Sequence, residues 1–320
     1  MITKWNQDIK KIKTNTNKKI DFVYTFVDST DNKWKKSYKQ TFPNKPIDPI
    51  RYKQFNEIYF SLKTVEEYAK NVCNYIYIVT ANQTLNHSKL SDWIINKIIY
   101  IYHEQIIPKF LLPTFNSITI ESFLHLIPDL TPNFLYFNDD VFLGNYLTNN
   151  LLYNDDVLNI LSFINNKKKC VPDKNKPWEH YYINADILFK KQTGLCSNII
   201  PTHTTHIMNK KVCAMTWVLF EDELLNSMTS SRQSKNINFW YLCYLVGLYL
   251  GYFKYKIPTP KDSFLLYCER EGNTNMAKRL INEIKTLFQN RPIVFCVNNL
   301  SDKCSPVWEY IINNYIKFNK

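Results

Sequence analysis

The stretch Phe134-Leu135-Tyr136-Phe137-Asn138-Asp139-Asp140-Val141-Phe142-Leu143 decides how the rest of the chain is read. Four apolar residues run into Asn-Asp-Asp, and three more follow directly. An aromatic, uncharged run of that length predicts a strand buried on both faces. Two adjacent carboxylates at its end then fall at the margin of a core, where an unpaired charge is costly. A divalent cation held by oxygen ligands, or a bound group with matching donors, would neutralise them. A tight turn is the plainer alternative, because Asn and Asp are turn formers.

Toward the N-terminus, Asp21-Phe22-Val23-Tyr24-Thr25-Phe26-Val27 predicts another strand, ending at Asp28. Ligands of open α/β sheets bind beyond the carboxyl ends of strands, which makes Asp28 a candidate. The alternative for Asp28 is a helix N-cap. From Arg51 to Ala69 the apolar positions Phe55, Ile58, Leu62, Val65 and Ala69 recur at helical spacing, with Arg51 and Glu57 near the start. Tyr75–Thr80 and Ile98–Tyr102 read as further strands. This alternation predicts an α/β fold: a mostly parallel, doubly wound, Rossmann-like sheet with helices on both faces. Leu112-Pro113-Thr114-Phe115-Asn116-Ser117 leads into a helix expected to reach Leu126, with Asn116 or Ser117 as its cap and an anion site at its N-terminus.

The second half predicts a helical insertion. Tyr181–Phe189 fits a strand or short helix, a histidine loop spans Pro201–His206, and a helix spans Val212–Met228. Arg232 precedes an apolar run, Phe239–Phe253, whose fifteen residues fall short of the roughly 20 that span a membrane. A buried helix, and no membrane span, is expected there. Ile293–Val297 reads as a late strand ending at Asn298 and Asn299, with a helix from Pro306 onward. Residues 1–19 are expected to be a solvated leader, and 20–320 a single catalytic domain.

Composition narrows the function. Five glycines in 320 residues leave no G-x-G-x-x-G or P-loop, so phosphates must be met by side chains and helix N-termini. The net charge of +12 favours an anionic partner, but the lysines are scattered, which argues for an anionic substrate and against nucleic acid. Eight cysteines without a C-x-x-C pair read as reduced core thiols of a cytoplasmic protein rather than a structural zinc site.

The pieces together resemble the Stealth family, which is described by four sequence blocks. Asp21–Asp28 looks like the first, D-x-V-Y-T-W-V, with Phe26 in place of Trp. Arg51–Lys63, Tyr77-Ile78-Val79-Thr80, Leu112–Ser117 with Glu121 and His125, and Phe137-Asn138-Asp139-Asp140-Val141 look like the long second block. His203, His206 and Arg232 resemble the third, and Phe295-Cys296-Val297-Asn298 the fourth. The blocks fall near 21–40, 51–145, 201–250 and 292–318. Tyr59 and Lys63 stand where the family usually has arginines, and Asn299 where it usually has Asp.

The resemblance implies transfer of a sugar-1-phosphate (hexose or N-acetylhexosamine) from a nucleotide sugar, a UDP-sugar first, to a hydroxyl of an acceptor glycan. It also implies a divalent cation, Mg²⁺ or Mn²⁺. Such a reaction asks for a cation over the diphosphate, fixed positive charge and a base. Asp139 and Asp140 are the expected metal ligands. Asp140, Asp28, His206 and Arg232 are the expected catalytic residues, with His206 as the base and Arg232 the fixed cation. Arg51, Glu57, Asn116, Ser117, His203 and Asn298 are expected to contact substrate. A homodimer and a membrane-peripheral position are compatible with this reading. A metal-dependent glycosyltransferase releasing a nucleoside diphosphate is the first alternative, and a non-enzymatic polyanion-binding module the second.

Overall fold

The strands that position the site are Ile20–Thr25 (β1), Cys73–Thr80 (β2), Ile98–Tyr102 (β3), Asn133–Phe137 (β4), Val141–Leu143 (β5), His206–Asn209 (β6), Ser263–Tyr267 (β7) and Val294–Asn298 (β8). The main sheet has the order β6-β4-β1-β2-β3. Strands β1 to β4 run parallel, and β6 pairs antiparallel with β4. The chain winds outward from β1 through β2 to β3, then returns to the other side of β1 as β4. The order therefore reverses between β1 and β4, where α/β sheets open a crevice. The α/β fold with a mostly parallel sheet is as expected. The structure is a computed structural model and describes residues 19–154, 157–160, 163–165, 178–197, 199–255, 257–268, 276–298 and 300–314. The rest of the expected leader, residues 1–18, and Asn299 lie outside these residues.

The run Phe134–Leu143 is not one strand. It splits into β4 and β5, which belong to different sheets, with Asn138-Asp139-Asp140 as the turn between them. Strand β5 pairs antiparallel with β8, and β8 pairs parallel with β7. Alternation of side chains along β5 serves two cores. Val141 and Leu143 enter the main core, while Phe142 stacks on Phe295 at 5.2 Å in a second core with Trp308. The helix Glu57–Ala69 (α2) secures the junction. Its Ser61 donates to the Val141 carbonyl, and its Thr64 hydroxyl accepts from Leu143 N at 3.0 Å.

Three local expectations change. The helix expected from Arg51 begins only at Glu57, because Asn56 takes a left-handed conformation (φ 64°) and leaves Arg51 in a separate turn, Pro49–Tyr52. The helix expected to reach Leu126 ends at Glu121 (α3, Ser117–Glu121). Its N-terminal N–H of Ile118 is already taken by the Asn116 side chain, so the anticipated anion site is closed there. Asp31, not Asp28, caps the helix Asn32–Thr41, accepting from Trp34 N at 2.7 Å.

The apolar run of the second half becomes a buried helix, Phe239–Tyr249, as expected. Among the described residues no helix is long and apolar enough to cross a membrane. Gly247 of this helix lies where a Cβ would enter the Phe253 ring, which the chain folds back to cover it. Gly247→Ala should therefore cost about 1–3 kcal/mol of stability through overpacking. Denaturant melts would check this, and an unchanged midpoint would show that Phe253 moves aside freely.

Candidate functional site

The site forms beyond the carboxyl ends of β1 and β4. The turn after β4 is held from both sides: Tyr136 donates to Asn138 Oδ1 at 2.6 Å, and Val297 N of β8 donates to the Asp140 carbonyl at 3.1 Å. Asp139 and Asp140 are thus displayed by the switch from one sheet to the other. Asp139 Oδ2 accepts from Gln54 at 3.1 Å, and Asp140 Oδ2 from the Cys296 thiol at 3.4 Å. Burial, reinforced by the Asp140 carboxylate, pushes the Asp139 carboxyl above its usual range. Glu57 completes an acidic cluster. It is buried and moved upward by desolvation and then by Asp139, and its Oε2 accepts from Phe55 N at 2.6 Å.

His203 faces this cluster. Its Nε2 lies 3.4 Å from Asp140 Oδ1, and both side chains remain partly exposed, 31% and 20%. The loop is pinned behind it by the Thr205 hydroxyl, which donates to the Tyr136 carbonyl at 3.0 Å. Burial opposes an imidazolium here, but the charge and proximity of Asp140, with help from Glu121, outweigh it and raise the His203 pKa. An imidazole that is solvent-reachable, oriented by a carboxylate and tuned upward is equipped to accept a proton.

His206 does not share this setting, which corrects the expectation that it is the base. It is 1% exposed, stacks on Trp240 at 3.7 Å, and neither ring nitrogen has a hydrogen-bond partner among the described residues. Desolvation holds its pKa well below the usual value. His203 sits on the bend before β6 and reaches the crevice, whereas His206 opens β6 and enters the core.

Arg232 is exposed and donates through Nε to Ser117 Oγ at 3.1 Å and through Nη2 to the same oxygen. Ser117 opens α3, whose last residue, Glu121, places Oε1 3.1 Å from the Tyr136 hydroxyl. Burial raises the Glu121 carboxyl, against the pull of Arg232, Tyr136, His203 and Ser117 in that order. Glu121, Tyr136, Gln54 and Cys296 were not singled out as site residues by the sequence reading. Each lay within a quoted stretch: Gln54 and Glu121 in the second block, Tyr136 in the run Phe134–Leu143, and Cys296 in the fourth block.

Asn116 serves as the cap of α3. It is fully buried, its carbonyl accepts from Ile118 N, and its amide donates to Thr229 and Asn236. Asp28 closes a local turn, accepting from Thr30 N at 2.8 Å, while Gln83 bridges its backbone to the β2 side. Arg51 is exposed on its turn, beside the aromatic cluster in which Tyr52 packs on Trp34 at 5.0 Å and Trp34 on Phe115 at 5.5 Å. Asn298 ends β8, and its carbonyl accepts from Cys268 N.

The donor set suits a cation. Asp140 Oδ1 is buried, with a long 3.4 Å contact to His203 Nε2, and Asp139 is held against like charge. A dication beside these oxygens would relieve both strains. Asp140, His203 and Cys296 also bring three potential ligand atoms within 4.8 Å of one another.

A doubly wound sheet with acids, an oriented histidine and a guanidinium at its switch point is the arrangement of an α/β enzyme working in that crevice. The comparisons give the family. A family model described as Stealth protein CR2, conserved region 2, matches residues 51–160. A capsular polysaccharide phosphotransferase of Neisseria meningitidis serogroup B is 31% identical over 299 residues, covering 88% of this chain and 77% of that protein. Another, from Actinobacillus pleuropneumoniae, is 31% identical over 337 residues, covering 98% and 87%. The chain belongs to the Stealth family. Among solved structures, the galactosyltransferase LgtC in complex with donor and acceptor sugar analogues aligns with a TM-score of 0.43 at 12% identity, covering 94% of this chain and 98% of that one.

Proposed function

We propose that the protein transfers a sugar-1-phosphate from a nucleotide sugar to a hydroxyl of an acceptor glycan, forming a phosphodiester and releasing a nucleoside monophosphate. The observation that carries this reading is the Asp140–His203 pair at 3.4 Å on the carboxyl edge of the sheet, in a chain whose relatives are named capsular polysaccharide phosphotransferases. The acceptor oxygen bonds to the sugar-linked phosphorus as the bond from that phosphorus to the nucleotide-side bridging oxygen breaks. His203 takes the acceptor proton at Nδ1, while its Nε2–H faces Asp140 Oδ1, which orients the ring and stabilises the imidazolium. Arg232, placed by Ser117 and balanced by Glu121, faces the charge that builds on the phosphoryl oxygens. Asp139 and Asp140 would hold a Mg²⁺ or Mn²⁺ ion, which supplies Lewis-acid stabilisation of the diphosphate.

Incubation with a panel of nucleotide sugars, a glycan acceptor and Mg²⁺ or Mn²⁺ tests the reading by its products. A nucleoside monophosphate and a phosphodiester-linked sugar are expected, with a UDP-sugar the first donor to try. Release of a nucleoside diphosphate would instead mean glycosyl transfer, with the sugar–oxygen bond broken. Arg232→Lys should lower kcat about tenfold or more while raising KM less, because a lysine cannot reproduce the planar fork. An unchanged kcat would reduce Arg232 to a ground-state contact.

A further inference from the structure

The three atoms around Asp140 are chemically unlike one another: a carboxylate oxygen, an imidazole nitrogen and a sulfur, all within 4.8 Å. They come from the turn after β4, the loop before β6 and strand β8. Magnesium takes oxygen ligands, so sulfur and nitrogen add nothing for it. Zinc binds all three donor types, with bonds of about 2.0–2.3 Å that place tetrahedral ligands roughly 3.3–3.8 Å apart. The Asp140 carboxylate is within that range of both partners, though through different oxygens: Oδ1 lies 3.4 Å from His203 Nε2 and Oδ2 3.4 Å from Cys296 Sγ. Cys296 is fixed in a central strand and fully buried, whereas His203 is 31% exposed on a loop. Closure would therefore come from His203, leaving the fourth position open to the crevice.

We propose that Asp140, His203 and Cys296 form a zinc site distinct in its ligands from the carboxylate pair, through which Zn²⁺ inhibits the enzyme. The inhibitory half rests on the function proposed above; the binding half does not. On binding, the Cys296 S–H bond breaks, its proton passes to buffer, and a Zn–S bond forms. Zinc bound at Nε2 confines the ring's hydrogen to Nδ1, so His203 can no longer accept the substrate proton there, and it draws Asp140 away from its role beside that ring. Mg²⁺ competes for Asp140 but not for the nitrogen and sulfur, so saturating Mg²⁺ should weaken the inhibition without abolishing it. Deprotonating a buried thiol opposes binding, which makes the site weaker than a structural zinc site.

The test uses chelator-stripped full-length protein with Cys170 and Cys196 replaced by serine, the first outside the described residues and the second exposed. Titration with Co²⁺ should produce a thiolate-to-cobalt charge-transfer band that saturates at one equivalent and is bleached by Zn²⁺. Cys296→Ser should abolish the band and weaken Zn²⁺ binding by calorimetry about tenfold or more. The Zn²⁺ concentration that halves turnover in saturating Mg²⁺ should rise by the same factor. Circular dichroism checks the fold of the variant, and His203→Gln, at a partly exposed position outside the strands, provides an independent loss of affinity. No band in the parent protein, or a band retained in Cys296→Ser, would overturn the site. Zinc bound at one equivalent with undiminished turnover would overturn the inhibition. Inactivity with every nucleotide sugar would sink the proposed function while the cobalt band still decided the site.

Discussion

His203→Ala should lower the rate with the natural acceptor about 10²–10⁴-fold, the contribution typical of a positioned base. A hydroxyl is a poor nucleophile until its proton is taken, and His203 is the described imidazole that faces the crevice beside a carboxylate. Because its pKa is raised, His203 is protonated, and unable to act, at pH values where an ordinary histidine of pKa about 6.5 would already be free. The rate should therefore climb with pH through a value above the usual histidine range and then level off. His203→Ala should remove that limb and leave nucleotide-sugar affinity nearly unchanged. His206→Phe makes the control. It keeps an aromatic ring against Trp240 and removes two buried, unpartnered nitrogens, so neither stability nor the pH limb should suffer. If the limb instead followed His206, the assignment of the base would be reversed.

Asp140→Asn should reduce turnover about 10³-fold or more while the fold survives. Two effects combine: loss of a carboxylate from the proposed cation site, and loss of the charge that orients His203. The second effect has a signature of its own. With Asp140 neutral, the main force raising His203 is gone and burial is left to act in the opposite direction. Any residual activity should show its limb moved to lower pH. Stripping the divalent cation from the wild-type protein should reproduce the loss of rate without moving the His203 limb downward. Full activity in chelator would remove the cation from the reaction, and full activity of Asp140→Asn would remove Asp140.

The sequence by itself determined the sheet and the address of the site. Alternating apolar runs near 21, 75, 98 and 134 gave four parallel strands, because side-chain periodicity and β-branched or aromatic content are local properties of the chain. Chain order placed the Asn138–Asp140 turn at a strand's carboxyl end, where α/β proteins do their chemistry. Only the tertiary structure decided that Phe134–Leu143 is shared by two sheets. That division depends on β8, which is more than 150 residues later, and no local pattern encodes its arrival. The same holds for Cys296 against Asp140, and for Arg232 on Ser117. The choice between the two histidines lies between these extremes. The sequence placed both on one loop, but which one met the crevice and which the core depended on the bend at His203 and on Trp240 closing over His206. A pattern in sequence can rank residues by chemistry, whereas burial and partners, which fix what each can do, are properties of distant contacts.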